Sequence, residues 1–324
     1  RSESAGEQLM ATNVPGMHPT LTYTPASPLP GEQRAGCRGR RLSRRRLYLR
    51  RFLRNRGAVA GLVILVLLVL FGLFGDLFTP YTHTDVDFTN LTAPPSPEHW
   101  FGTNGTGNDT FAQAVHGLQR SMVIAVTVSL LTTVIAAFVG AAAAYFSGTA
   151  EKLILGIVHF LLVVPSFLIL ALVSQKAGGD WKVLILALTV FGWMLSARVV
   201  WSLAASLRER EYVQAARFMG VSSVRVVLRH LIPNIGSLLI VSFTLGVVAT
   251  VQAETGLSFI GFGVQLPDVS LGTMLSDGAN TITSAPWLFY FPAGLVTLLT
   301  VSMALIGDGL RDTLDPTSQS GGRA

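Results

Sequence analysis

Six stretches of this chain, at about 58–79, 121–146, 153–173, 183–206, 234–253 and 286–307, are apolar over lengths near twenty residues. A bilayer core about 30 Å thick is crossed by roughly 20 apolar residues wound as a helix. Within lipid every backbone N–H and C=O must be satisfied internally, which leaves helices or closed barrels. These runs are continuous rather than alternating at every second residue, so a barrel is excluded. The expected fold class is an all-α integral membrane protein with six transmembrane helices. Composition agrees, since 13% of the 324 residues are charged against about 25% in soluble domains.

Basic residues set the expected orientation. With the N-terminus in the cytosol, 20 of the 24 Lys and Arg fall on cytosolic segments, as the positive-inside rule requires. Both termini are then cytosolic. The domain order that follows is a disordered N-terminus at 1–33, an arginine-rich juxtamembrane segment at 34–57, a six-helix domain at 58–307 and a cytosolic tail at 308–324. Residues 1–33 are rich in Pro, Ser, Thr and Gly and lack apolar periodicity, so they cannot bury enough surface to offset ordering. Eleven arginines lie between Arg34 and Arg56. They anchor the first helix on anionic lipid headgroups, at about 1 kcal/mol each, and no nucleic-acid partner is expected. The apolar run Ala58–Gly75 lies too deep in the chain, and is too long, for a secretory leader. A single cysteine, Cys37, permits no disulfide within the chain.

External loops are expected at 80–120 and 254–285, and a cytosolic loop at 207–233. That cytosolic loop is polar and arginine-rich, yet it carries helical patterning. Tyr212, Ala215, Ala216 and Met219 recur at i, i+3, i+4 and i+7, one apolar stripe on a short helix. Gly220 suits the left-handed position that closes such a helix. Ser222 or Ser223 is placed to cap a second helix with the stripe Val224, Val227, Leu228 and Leu231. Pro233 then breaks that helix before the fifth span. Read from periodicity alone, the loop either rests on the headgroups or presents a small-residue face to a partner.

The residue pattern favours the partner. The stretch Glu211 to Gly220, nine further residues, then His230-Leu231-Ile232-Pro233 resembles the "EAA" loop of ABC importer permeases. That pattern runs E-A-A, three residues, G, nine residues, I-x-L-P. Ala215, Ala216, Gly220 and Pro233 hold their places, while Gln214 stands for the glutamate and His230 for the isoleucine. The resemblance implies a type I ABC importer permease fold in which Glu211, Gln214, Ala215, Ala216, Arg217, Gly220 and Pro233 couple to a separate ATPase.

Three further motifs resemble the C-type permease of dipeptide and oligopeptide importers. In residues 99–121, His99, Gly102, Thr103, Gly107, Asp109, Gly117 and Ser121 match, whereas Asn104 and Asn108 replace an aspartate and an arginine. Residues 253–267, AETGLSFIGFGVQLP, and 307–316, GDGLRDTLDP, are the other two. The implied partners are a second permease, two ABC ATPase subunits or domains, an external binding protein, membrane lipid and a peptide substrate. The implied location is the bacterial inner membrane, and cargo such as nickel chelates or glutathione is the alternative. An ion-gradient transporter is the rival class, but it would show internal repeats or several intramembrane ionisable groups.

Other residues carry separate expectations. Glu254, at the outer end of the fifth span, either meets a peptide ammonium group on the pathway or caps the glycine-rich turn after it. Arg198, inside the fourth span, is expected to pair with a carboxylate or a helix C-terminus from a neighbour. Pro165 and Pro292 are expected to kink their helices. Phe111, Val115 and Leu118 recur at helical spacing and suggest a short helix in the outer interface. Asn90, Asn104 and Asn108 fit the N-glycosylation pattern but read as turn chemistry. His83, His99 and His116 lack metal-ligand spacing, so no metal is assigned. No G-x-x-x-x-G-K-[ST] occurs, and no nucleophile–base constellation stands out. The chain is therefore expected to be a transport subunit without a cofactor of its own, with ATP and Mg held by partners.

Overall fold

The computed structural model describes residues 44–314, and every regular element in that range is helical. The expectations for 1–33, for Cys37 and for the tail past 314 lie outside the described residues. Helix α1 spans Arg44–Phe52 and α2 spans Arg56–Phe74, continuing as a tight turn to Phe78. Asn55 starts α2 by accepting a bond from the Ala58 N–H at 3.2 Å, and its Nδ2 donates to Asp312 at 3.2 Å. One side chain therefore caps the first span and ties it to the last.

Helix α3 runs from Thr110 to Phe146. The short interfacial helix expected around Phe111 is corrected here: Phe111, Val115 and Leu118 form the first turns of α3 and are buried. Two causes are visible. Asp109 caps the helix there by accepting from Ala112 N at 2.7 Å, and the Phe111 ring packs edge-on against Phe71, Trp100 and Phe101. Helices α4 (Gly148–Val163) and α5 (Ser166–Lys176) meet at a 70° bend. Pro165 sits in the gap, where it disfavours helical geometry for Val164 and offers no N–H.

Helices α6 (Trp181–Gly192) and α7 (Met194–Arg208) form one span interrupted at Trp193. Then come α8 (Glu211–Phe218), α9 (Ser223–Val226), a single π turn at Val227–Leu231, and α10 (Ile232–Asn234). The π turn is the local answer to Pro233, whose missing N–H interrupts the regular ladder. Helices α11 (Gly236–Phe259), α12 (Leu271–Asn280) and α13 (Trp287–Leu314) complete the fold. Pro292 lies inside α13 without ending it, and α13 continues past the expected limit at 307.

Among the described residues, five helical stretches, with α6–α7 counted as one, are long and apolar enough to cross a bilayer, and the bent α4–α5 pair makes a sixth if taken as one span. Helix α3 is the hub, packed against α7, α11 and α6. Its contact with α7 depends on Gly140, where an added Cβ would lie 2.5 Å from the Ala197 carbonyl oxygen. Small residues let helix backbones approach in this way when no hydrophobic force drives spans together. Leu67, Leu73, Phe160, Val163 and Leu186 are exposed on the outside of the bundle, as side chains against hydrocarbon can be.

Candidate functional site

At one end of the bundle, α8 lies across the ends of other helices. Val213 and Ala216 are its buried residues, packed with Ala141, Ala144, Tyr145, Ala204 and Leu231. This corrects the expected single stripe. Tyr212, Ala215 and Met219 point outward instead, together with Phe218, which is 88% exposed. Ala216 faces inward, so its small size serves packing inside this chain. The helix ends in a Schellman motif: Val221 N donates to Ala216 O at 3.1 Å and Gly220 N to Arg217 O at 3.0 Å. Gly220 has φ +75°, which a residue with a Cβ adopts only at a cost.

The outward face combines apolar and cationic groups. Glu211 and Gln214 are exposed, with Gln214 Nε2 donating to Glu209 O at 3.3 Å. The Arg217 guanidinium lies 5.1 Å from the centre of the Tyr145 ring. Beyond Gly220, a shallow groove of about 500 Å³ is lined by Val224, Arg225, Leu228, Arg229 and Pro233, among others. Of the second expected stripe, Val227 and Leu231 are buried, but Val224 and Leu228 are exposed, with Val226 taking an inner place. Arg208 fixes the base of this end. It donates to Ala144 O at 2.8 Å and to Glu209 at 2.9 Å, and it approaches Glu151 to 4.0 Å. Glu151 also accepts from Trp201 Nε1 at 2.7 Å.

The opposite end is a folded cover of residues 79–109. His99 is buried, with Nδ1 2.8 Å from Asp109 and Nε2 3.6 Å from Asp87. Hydrogen bonds from Thr89 and Asn90 hold the Asp87 carboxyl well below the usual carboxylate range. Where charged partners were missing from the motif, amides stand instead: Asn104 Nδ2 donates to Asn108 Oδ1 at 3.3 Å and to Gln113 Oε1 at 3.2 Å. The turn chemistry expected of Asn90, Asn104 and Asn108 is thus present. Asp268 accepts from His116 and Arg120, each at 2.8 Å. Partial burial pulls the Asp268 carboxyl up, but those two bonds outweigh it and hold the group below its ordinary value.

Glu254 is fully enclosed next to this cover. Its Oε1 accepts from Ser258 at 2.8 Å and from Ser270 at 2.6 Å. Ser270 is also the N-cap of α12, with a reciprocal Ser270–Thr273 capping box. The carboxylate therefore clasps α11 to α12. A cavity of about 680 Å³ opens beside it, lined by residues including Asn104, Gln265, Asp268, Asp277 and Asn280, and Glu254 is not on its wall. The protein around Asp277 strips part of its water and raises its carboxyl above the usual range.

A sequence profile of binding-protein-dependent transport system inner membrane components matches residues 135–319, which contain the whole α8 end and the Glu254 clasp. The chain belongs to that family of transporter inner-membrane components. A second profile, the N-terminal transmembrane domain of oligopeptide transport permease C, matches residues 43–95 of this permease. The permease is 49% identical over 280 residues to the oligopeptide transport system permease protein OppC of Mycobacterium tuberculosis, covering 86% of this chain and 96% of that one. It is 35% identical over 266 residues to OppC of Bacillus subtilis, covering 82% and 87%. It is also 35% identical over 268 residues to the Bacillus subtilis dipeptide transport system permease protein DppC, covering 82% and 84%.

The permease is a multi-pass membrane protein and a transport subunit. Its structure brings Glu211, Gln214, Ala215, Arg217 and Gly220 onto one outward ridge, turns Ala216 inward and sets Pro233 on the adjoining groove. Glu254 belongs to the other end. Sequence reading missed Val213, Arg208 and the exposed Phe218 beside Met219. It also missed α12, whose signal was readable as the cap Ser270-x-x-Thr273 ahead of Leu271, Met274 and Leu275.

Proposed function

We propose that this chain is the transmembrane subunit of an ATP-driven importer of oligopeptides or dipeptides. It forms the route with a second permease, and the pair takes its energy from two ABC ATPases, one of them docked on α8. Both termini face the cytosol of a bacterial cell, and an external binding protein delivers cargo to the 79–109 end. The carrying observation is the α8 ridge, where Tyr212, Ala215, Phe218 and Met219 are exposed while Val213 and Ala216 lock the helix from beneath. Exposed large apolar groups rimmed by arginines mark a protein contact. The positive-inside bias supports this orientation. The permeases named for oligopeptide and dipeptide transport support the cargo.

Moving a two-state gate from 1:99 to 99:1 needs roughly 5.5 kcal/mol of differential binding. A docking helix locked from beneath by Val213 and Ala216 and closed by its terminal turn suits that load. The test is the double substitution Phe218→Glu with Met219→Glu, which changes only exposed side chains. In the assembled transporter, uptake of labelled trialanine and cargo-stimulated ATP hydrolysis are expected to fall at least about tenfold, because desolvating two unpaired carboxylates opposes docking. The variant should still insert at normal levels. Undiminished uptake would overturn the coupling role.

A further inference from the structure

The span α6–α7 carries a single charge between Lys182 and Leu207, namely Arg198. By helical rise it lies about 15 Å from the Arg208 end and about 25 Å from the Trp181 end. Its side chain is exposed and makes no ion pair or side-chain hydrogen bond among the described residues, so none of them supplies the expected partner. The face of α7 that packs inward is formed by Met194, Ala197, Val200 and Ala204, and Arg198 is turned away from it.

The exposed surface of α7 divides into two stripes. Leu195, Val199 and Leu203 form one, and it is apolar. Arg198, Ser202 and Ser206 form the other at i, i+4 and i+8, and all three are exposed. Ser206 satisfies itself by donating to Leu203 O at 2.7 Å. Hydrocarbon suits the first stripe. The second is unsuited to it, because a cation inside a bilayer faces a water-filled cavity or a partner group. A row of short hydroxyls running from that cation to the helix end leaves room for water and supplies no counter-charge.

We propose that the Arg198–Ser202–Ser206 stripe lines the aqueous cargo route, and that Arg198 receives the terminal carboxylate of the passing peptide. This deepens the peptide-import reading and rests on it for the nature of the anion. A guanidinium presents two parallel N–H donors that match a carboxylate in a planar, bidentate fashion.

Two measurements on the assembled transporter in proteoliposomes test it. In a Cys37→Ser background, Arg198→Cys and Ser202→Cys should react with a charged, membrane-impermeant methanethiosulfonate, while Val199→Cys should not. For the anion, uptake of trialanine is compared with that of its C-terminal amide. Taking each variant's acid-to-amide ratio relative to wild type cancels selection by other subunits. Arg198→Gln should lower the ratio by about tenfold, the scale of one charge-assisted bond, and Arg198→Lys should restore most of it. Labelling with an unchanged ratio would overturn carboxylate recognition. Absence of labelling, with loss of the second permease from Arg198→Gln preparations, would assign the cation to a subunit contact and overturn the route. Wild-type protein that carries neither peptide would overturn the peptide reading and the carboxylate with it, leaving the labelling to decide the route alone.

Discussion

At the 79–109 end polar side chains close on one another, whereas at the α8 end apolar side chains are left uncovered. His99, Asp109, Asn104, Asn108, Gln113 and Thr103 are bonded within their own segment or to the start of α3. Phe218 and Met219 have no such enclosure, and α8 is held by Val213, Ala216 and its terminal turn. Local polar closure makes a segment self-sufficient, so the cover keeps its shape without help. The ridge is finished only when another surface covers it. The difference separates an end that holds its own shape, although it too exposes Phe88 and Leu91, from a ridge held only from beneath.

The strongest way to break the comparison is to open the cover. His99→Ala removes the ring between Asp109 and Asp87 and leaves a buried carboxylate short of a partner, at about 2–3 kcal/mol. Amide exchange should accelerate across 79–109 and the first turn of α3 while the α8 end keeps its rates. Equal loss at both ends would show that the two regions unfold as one.

A smaller effect is expected at the other end. An added Cβ at Gly220 meets nothing within 4 Å, so Gly220→Ala isolates the backbone penalty of φ +75°, about 1–2 kcal/mol. Exchange should accelerate only over 211–221. Unchanged rates would mean that the terminal turn contributes nothing to holding the ridge.

The smallest effect comes from pH. His83 stacks on His116 with ring centres 3.7 Å apart. Burial, followed by the charge of His116, holds the His83 imidazole below its ordinary 6.5. The unfolded cover then binds a proton at higher pH than the folded one. Stability is full above about 6.5, falls as pH drops toward the lower folded value and changes no further beneath it. Partial exposure lets solvent screen the effect and keeps it small. Exchange across 79–109 should quicken slightly on acidification after correction for intrinsic rates, and His83→Gln should flatten the response.

The spans were legible because the cost of polar groups in lipid imposes long apolar runs, and the bend at Pro165 followed from ring chemistry. Gly220 was legible as a helix end for the same kind of local reason. The inward side of α8 was not. Val213 and Tyr212 are both apolar, and a membrane-borne bundle buries and exposes apolar surface alike, so periodicity cannot rank them. Arg208 and the Ser270 half of the Glu254 clasp escaped because their partners are distant in sequence. Among the site residues, Glu254 was noticed for its charge at the outer end of the fifth span, yet the two hydroxyls that hold it decide its orientation.

Arg208 has a mechanical consequence. One planar group touches the last turn of α3 and the first turn of α4 while belonging to α7, and α8 begins three residues later. A push on that short crosspiece is delivered to three long rods through a shared pivot, so they tilt together instead of sliding past one another.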